Sequence, residues 1–149
     1  MGSNPNQFKG DLSRPVENVS WNDAQEFLRN LNRMEPSRGY RLPTEAEWEY
    51  VCRAGSITRY YFGNDARRLG EYAWYEANAG GKAHPVGQKR PNAWVLYDMH
   101  GNVWEWVQDW YDIHYYKHSP SRNSRGPTAG AKRVVRGGCW LPLLEFSLQ

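Results

Sequence analysis

Helical periodicity stops at Gly55, and beyond it the chain becomes a series of short aromatic pieces separated by Gly, Asn and Pro. Tyr60-Tyr61-Phe62, Tyr72-Ala73-Trp74-Tyr75, Pro85-Val86-Gly87 and Trp94-Val95-Leu96-Tyr97 alternate with turn residues, and Val103 to Trp110 and Arg133 to Trp140 read as further short strands. Loops this long argue for function or for bound ions that hold them. The chain has 149 residues, enough for one domain. Its 8 Trp, 10 Tyr and 4 Phe supply large buried surfaces, so a core can form with few aliphatics. The predicted class is α+β: two early helices, then short strands and long loops.

Both helices announce their starts. Ser20 and Asp23 form a capping-box pattern, and Trp21, Ala24, Phe27, Leu28, Leu31 and Met34 recur at helical spacing, which predicts a core-packing helix ended by Pro36 and Gly39. Thr44 and Glu47 repeat the box before Trp48, Val51 and Cys52, with Gly55 as the stop and Cys52 expected to be buried. Upstream, Val16 to Val19 reads as a short strand.

Composition removes several classes. No apolar run is long enough to span a membrane, and no basic start with an apolar stretch marks a secretory signal, so localisation stays unassigned. Two cysteines, Cys52 and Cys139, do not make a disulfide scaffold or a four-cysteine zinc site. His114 and His118 lack a third ligand, and Gly80-Gly81-Lys82 lacks the spacing of a phosphate loop. From Ile113 to Gly138 run six bases (Lys117, Arg122, Arg125, Lys132, Arg133, Arg136) without an acid, while the remaining 13 bases face 16 acids. Their scatter among Ser, Pro and Gly predicts a solvated loop rather than a nucleic-acid surface.

The densest chemistry lies in Tyr97-Asp98-Met99-His100-Gly101-Asn102-Val103-Trp104-Glu105-Trp106. Strand alternation puts Val103, Glu105 and Val107 on one face and Trp104 and Trp106 on the other, and a carboxylate on an apolar face needs a partner. Asp98, Asn102 and Glu105 gather oxygens around a turn at Gly101. Such a set suits Ca²⁺, although local hydrogen bonding to backbone would also satisfy it.

Four motifs in order, PVENVSW (Pro15 to Trp21), RLPTEAEWE (Arg41 to Glu49), GNVWEW (Gly101 to Trp106) and RVVRGG (Arg133 to Gly138), resemble the formylglycine-generating enzyme, or sulfatase-modifying factor, family. The resemblance implies a C-type-lectin-like fold with calcium-held loops. It implies Ca²⁺ ligands at the Asp98 side chain, the Gly101 and Val103 carbonyls and the Glu105 carboxylate. It places Trp104, Cys139 and Trp140 at the ligand-binding pocket. The family activity is copper- and oxygen-dependent oxidation of a protein cysteine to formylglycine, and its two copper cysteines fall at Pro142 and Ser147 here, so copper is not expected. The family serine after Gly138 is Cys139.

The resemblance further implies a domain over residues 1–140 that is truncated at both ends, with a divergent apolar tail at 141–149 that promotes self-association. The function expected is a non-catalytic module binding a peptide, protein or glycan. The alternatives are a truncated product without independent activity and an active copper oxidase. No catalytic residue is assigned.

Overall fold

The computed structural model describes residues 4–141 of the chain. Six regular elements occur in order: α1 (Trp21–Met34), α2 (Glu45–Arg53), α3 (Leu69–Tyr72), α4 (Glu76–Ala79), β1 (Glu105–Trp110) and β2 (Arg133–Arg136). Short 3₁₀ turns occupy Ala66–Arg68 and Tyr115–Lys117. The architecture is α+β, and loops make up most of it.

Both capping boxes form. The Ser20 side chain accepts from the Asp23 N–H and Asp23 accepts from the Ser20 N–H; Thr44 and Glu47 do the same at α2. Each satisfies two N–H groups that a helix start leaves open. At the other end of α2 the cap residue Ala54 (φ 47°) and Gly55 after it (φ 87°) both take positive φ, so Gly55 stands at the stop as expected.

β1 and β2 pair antiparallel, with Glu105 opposite Arg136, Trp106 opposite Val135 and Trp110 opposite Arg133. The register slips between Trp106 and Trp110, so β1 bulges there. One face of β1 turns Val107 and Asp109 inward, both buried. Val107 packs with Val134, Met99 and the α2 residues Trp48 and Cys52, with Val51 and Tyr61 at the edge. A second cluster joins Ala79, Ala83 and Trp140 to Phe8, Trp74, Val103 and Leu141.

Several expectations are corrected. α1 contributes no fully buried residue; Phe27 is 52% and Met34 80% exposed. Polar contacts tie α1 to β1 instead: the Trp21 indole N–H donates to the Val107 carbonyl (3.0 Å) and Gln25 to Gln108 (3.1 Å). Amphipathic spacing alone does not say how deeply a face is covered. The aromatic pieces at 60–62, 72–75, 85–87 and 94–97 are not strands, and neither is Val16 to Val19. Tyr72 closes α3, and the 60–62 segment makes only an isolated bridge from Tyr60 to Gly63. Their rings stack on one another (Phe62 on Tyr72 at 4.2 Å, Tyr61 on His100 at 4.7 Å), so side-chain packing replaces a hydrogen-bond ladder. β2 stops at Arg136 because Gly137 and Gly138 take positive φ (97° and 112°).

The basic segment is only partly a solvated loop. Lys117, Arg122, Arg125 and Lys132 are exposed, but Arg136 pairs with Glu45 and Glu49 of α2, and Arg133 is packed against indoles. The apolar tail, except Leu141, and the positions Pro142 and Ser147 lie outside the described residues.

Candidate functional site

The turn from Asp98 to Asn102 is built on residues that tolerate left-handed backbone. Asp98 (φ 60°) and Asn102 (φ 73°) both adopt it, as Asx side chains permit more readily than others. Between them, Gly101 sits flush against the chain at Trp74: a Cβ there would stand 2.2 Å from the Trp74 carbonyl oxygen. Asn102 is 1% exposed and acts as a hub. Its N–H donates to Trp74 O (2.7 Å), its side chain spans the His84 N–H and carbonyl, and its carbonyl accepts from Trp140 N. Asn102 therefore serves the backbone around it, a role its place in an oxygen cluster did not reveal.

The two carboxylates of the cluster have no cationic partner among the described residues, and the charge on Asp98 reaches Glu105. Asp98 Oδ2 accepts from the Gly87 N–H (2.9 Å), and Asp98 Oδ1 is buried with no hydrogen bond. Glu105 Oε2 accepts from the Trp48 indole (2.6 Å). Burial pushes the Glu105 carboxyl up; the Trp48 hydrogen bond opposes this, and the charge on Asp98 adds to it. A buried carboxylate oxygen without a partner is costly, and so is a carboxylate whose charged form burial disfavours, unless a cation meets them. Gly137 crosses close by, with its would-be Cβ 3.6 Å from Val103 O and 3.9 Å from Glu105 Cγ. The oxygen-rich donor set fits a hard cation such as Ca²⁺.

Beyond Glu105 the other face of β1 opens onto a groove of about 740 Å³. Trp104, Trp106 and Trp110 line it from the β1 segment, joined by Trp21 of α1 and by Trp140, so five of the eight tryptophans meet there. The Trp106 indole is fixed by the Val19 carbonyl (3.0 Å). Cys139 lies in the groove wall next to Trp104; burial pushes its thiol up, while the Leu141 N–H and Trp104 contacts pull it down. Cys52 is elsewhere, buried in the α2 core with its thiol pushed up to about 12 by burial. Neither thiol is a ready nucleophile.

Trp104, Cys139 and Trp140 thus line one groove, and Asp98 and Glu105 are linked by the charge of one acting on the other. The alternation expected for Val103 fails: it packs toward Trp140 and the groove, since β1 begins only at Glu105. Sequence reasoning missed Trp21, Trp110, Lys132 and Arg133 as groove residues. Trp21 reads as part of a helical stripe, and nothing local marks the groove. Among the described residues no three His, Cys, Asp or Glu side chains cluster.

Comparison with known proteins agrees with the fold. The sequence profile of the sulfatase-modifying factor enzyme 1-like domain matches residues 1–148. The formylglycine-generating enzyme of Streptomyces coelicolor is 40% identical over 144 residues, covering 89% of this chain and 44% of that protein. The mouse formylglycine-generating enzyme is 39% identical over 142 residues, covering 87% and 36%. The chain thus spans less than half the length of these relatives. Among solved structures, Treponema denticola variable protein 1 superposes with a TM-score of 0.83 at 34% identity, over 94% of this chain and 67% of that one. PvdO from Pseudomonas aeruginosa superposes with a TM-score of 0.76 at 31% identity, over 89% and 52%.

Proposed function

The chain belongs to the sulfatase-modifying factor enzyme 1-like family and has its C-type-lectin-like α+β fold; from that premise we propose that it is a non-catalytic binding module whose ligand site is the tryptophan groove. The observation that carries the reading is the groove: five indoles, from α1, from β1 and its approach, and from the turn after β2, open to solvent around a single thiol among the described residues. Large amphipathic rings give contact area at little entropic cost, the usual basis of a recognition surface. Copper chemistry would need two convergent soft thiolates. Cys139 is the one described thiol in the groove wall, and Pro142 and Ser147 carry none. The test is a random heptapeptide library panned on the protein. Enriched peptides should lose at least tenfold in retention on Trp104→Ala. The absence of any enrichment over that variant overturns the reading. So does an aldehyde mass on a Cys-x-Pro-x-Arg peptide incubated with the protein, Cu(I) and oxygen.

Calcium belongs to the same proposal as a brace. The Asp98 and Glu105 carboxylates and the Gly101 and Val103 carbonyls would hold it, and its charge would offset those of the two carboxylates. Trp104 is flanked by two of these four residues, so fixing them fixes the groove wall. A ligand that binds only the folded state stabilises by about 1.4 kcal/mol at tenfold its Kd, raising Tm by about 3–6 °C for a domain of this size. Thermal melting in calcium and in EGTA should differ by that amount in the wild type and not in Glu105→Gln. Superimposable wild-type melts would remove calcium from the scheme.

A further inference from the structure

Arg133 stands apart from the other bases of its segment. Its guanidinium carbon lies 3.7 Å from the Trp21 ring centre and 3.4 Å from that of Trp110. Two indoles cannot both sit that close on one side, so they cover both faces of the guanidinium plane. One in-plane donor is used: Nη1 donates to the Gln108 carbonyl at 2.7 Å. Among the described residues the other N–H groups have no hydrogen-bond acceptor and Arg133 forms no ion pair at contact distance; the charge on the buried Asp109, outside the groove lining, acts on it from further off. A guanidinium always carries its charge, and its free edge offers parallel donors that match a carboxylate. The two indoles remove the rotamer freedom that an exposed arginine would lose on binding.

The surroundings set the sign of the ligand. Lys132 adds a second cation to the groove lining. Glu17 is the only carboxylate in that lining among the described residues, and its Oε1 already accepts from the Phe8 N–H. The groove therefore presents an immobilised cation beside a wall of indoles, with Gln7, Asn18 and Asn22 among its neutral polar groups. We infer that the groove takes an extended peptide segment carrying an Asp or Glu next to apolar or aromatic side chains, with Arg133 as the carboxylate-reading residue. This rests on the groove being the binding site.

Two sub-libraries of N-acetylated, C-amidated heptapeptides separate the claims. Their central residue is Asp in one and Asn in the other, with random flanks, so that the central side chain supplies the charge that differs. Retention is measured on immobilised wild type, Arg133→Gln and Trp104→Ala, and retained members are titrated calorimetrically. The Asp library should bind wild type at least tenfold more tightly than the Asn library. That preference should vanish in Arg133→Gln while aromatic-dependent binding persists. A merely structural arginine would weaken both libraries equally, which overturns the inference. Equal wild-type binding of both libraries, lost in Trp104→Ala, keeps the groove and overturns the carboxylate. Retention of a sulfated disaccharide with neither library retained overturns it in favour of a glycan. If nothing is retained, the groove reading falls as well.

Discussion

Gly101→Ala should abolish the native fold or cost more than about 4 kcal/mol, a loss outside the range of ordinary point substitutions. The added Cβ would stand 2.2 Å from Trp74 O, 3.0 Å from Trp74 C and 3.1 Å from Trp74 N. All three are backbone atoms, so no side chain can rotate out of the way. The same carbonyl oxygen accepts the 2.7 Å hydrogen bond from Asn102, and Asn102 in turn secures His84 and Trp140. Moving the Trp74 chain would thus loosen three segments together, and the packing around them has no slack to absorb it. Gly70→Ala is the matched control. It lies in α3 at an unexceptional φ, and its Cβ would meet only the Asn78 side chain at 3.5 Å. Denaturant unfolding of both variants should leave Gly70→Ala within about 1 kcal/mol of wild type. A native-like Gly101→Ala melt would show that the close approach is not a constraint.

Acid should destabilise the protein through His100. The ring stacks on Tyr61 at 4.7 Å, meets Tyr60 and Phe62 edge-on, and leaves Nε2 buried without a hydrogen bond. Burial holds its pKa down at about 4; Arg136 and Arg53 push the same way, and Glu49 opposes them. A histidine depressed in the folded state contributes stability that is fully present above its unfolded pKa of about 6.5. That stability is lost as pH falls from there through about 4. The full loss is about 3 kcal/mol, at 1.36 kcal/mol per pKa unit. His100→Phe keeps a ring and removes the proton site. The stability difference between wild type and His100→Phe, measured in EGTA at pH 7.5, 5.5 and 4, should move toward the variant by that amount as pH falls. Parallel profiles would show that His100 is not the titrating group. The difference measurement matters because Glu105 titrates in both proteins, and its raised pKa acts in the opposite sense: its protonation relieves the folded state in acid.

The helix starts, the paired strands and the aromatic turn were legible because each is written in local residues. Ser20 with Asp23 and Thr44 with Glu47 satisfy backbone donors three residues away, and no distant part of the chain is needed to decide that. Strand alternation correctly separated Val107, on the core side, from Trp104 and Trp106, on the groove side, and failed only at Val103, which precedes β1. The turn at Gly101 announced itself through the residues that flank it. The family was legible for the same reason: four short motifs in order are local signals, and the profile match over residues 1–148 bears them out.

What failed concerns contacts between segments far apart in sequence. The aromatic pieces after Gly55 look like strands because ring-rich runs favour strands, yet Tyr61, Phe62, Tyr72 and His100 solve their burial by stacking across loops. α1 has an amphipathic spacing, but whether anything covers Phe27 is decided by the rest of the molecule. Asn102 reads as a ligand oxygen and serves as a backbone hub. Arg133 reads as one base in a solvated run, and becomes a clamped cation only because Trp21, 112 residues away, and Trp110 close on it.

By itself, then, the sequence determined the fold class, the family, both capped helices and the oxygen-rich turn, since these depend on hydrogen bonds and turns completed within a few residues. Tertiary structure alone decided that five indoles share one groove, that the charge on Asp98 reaches the buried Glu105, and that one arginine of the groove lining is clamped between two indoles. Those facts arise where loops of unrelated sequence are brought to the same place, and packing, not local preference, sets their geometry.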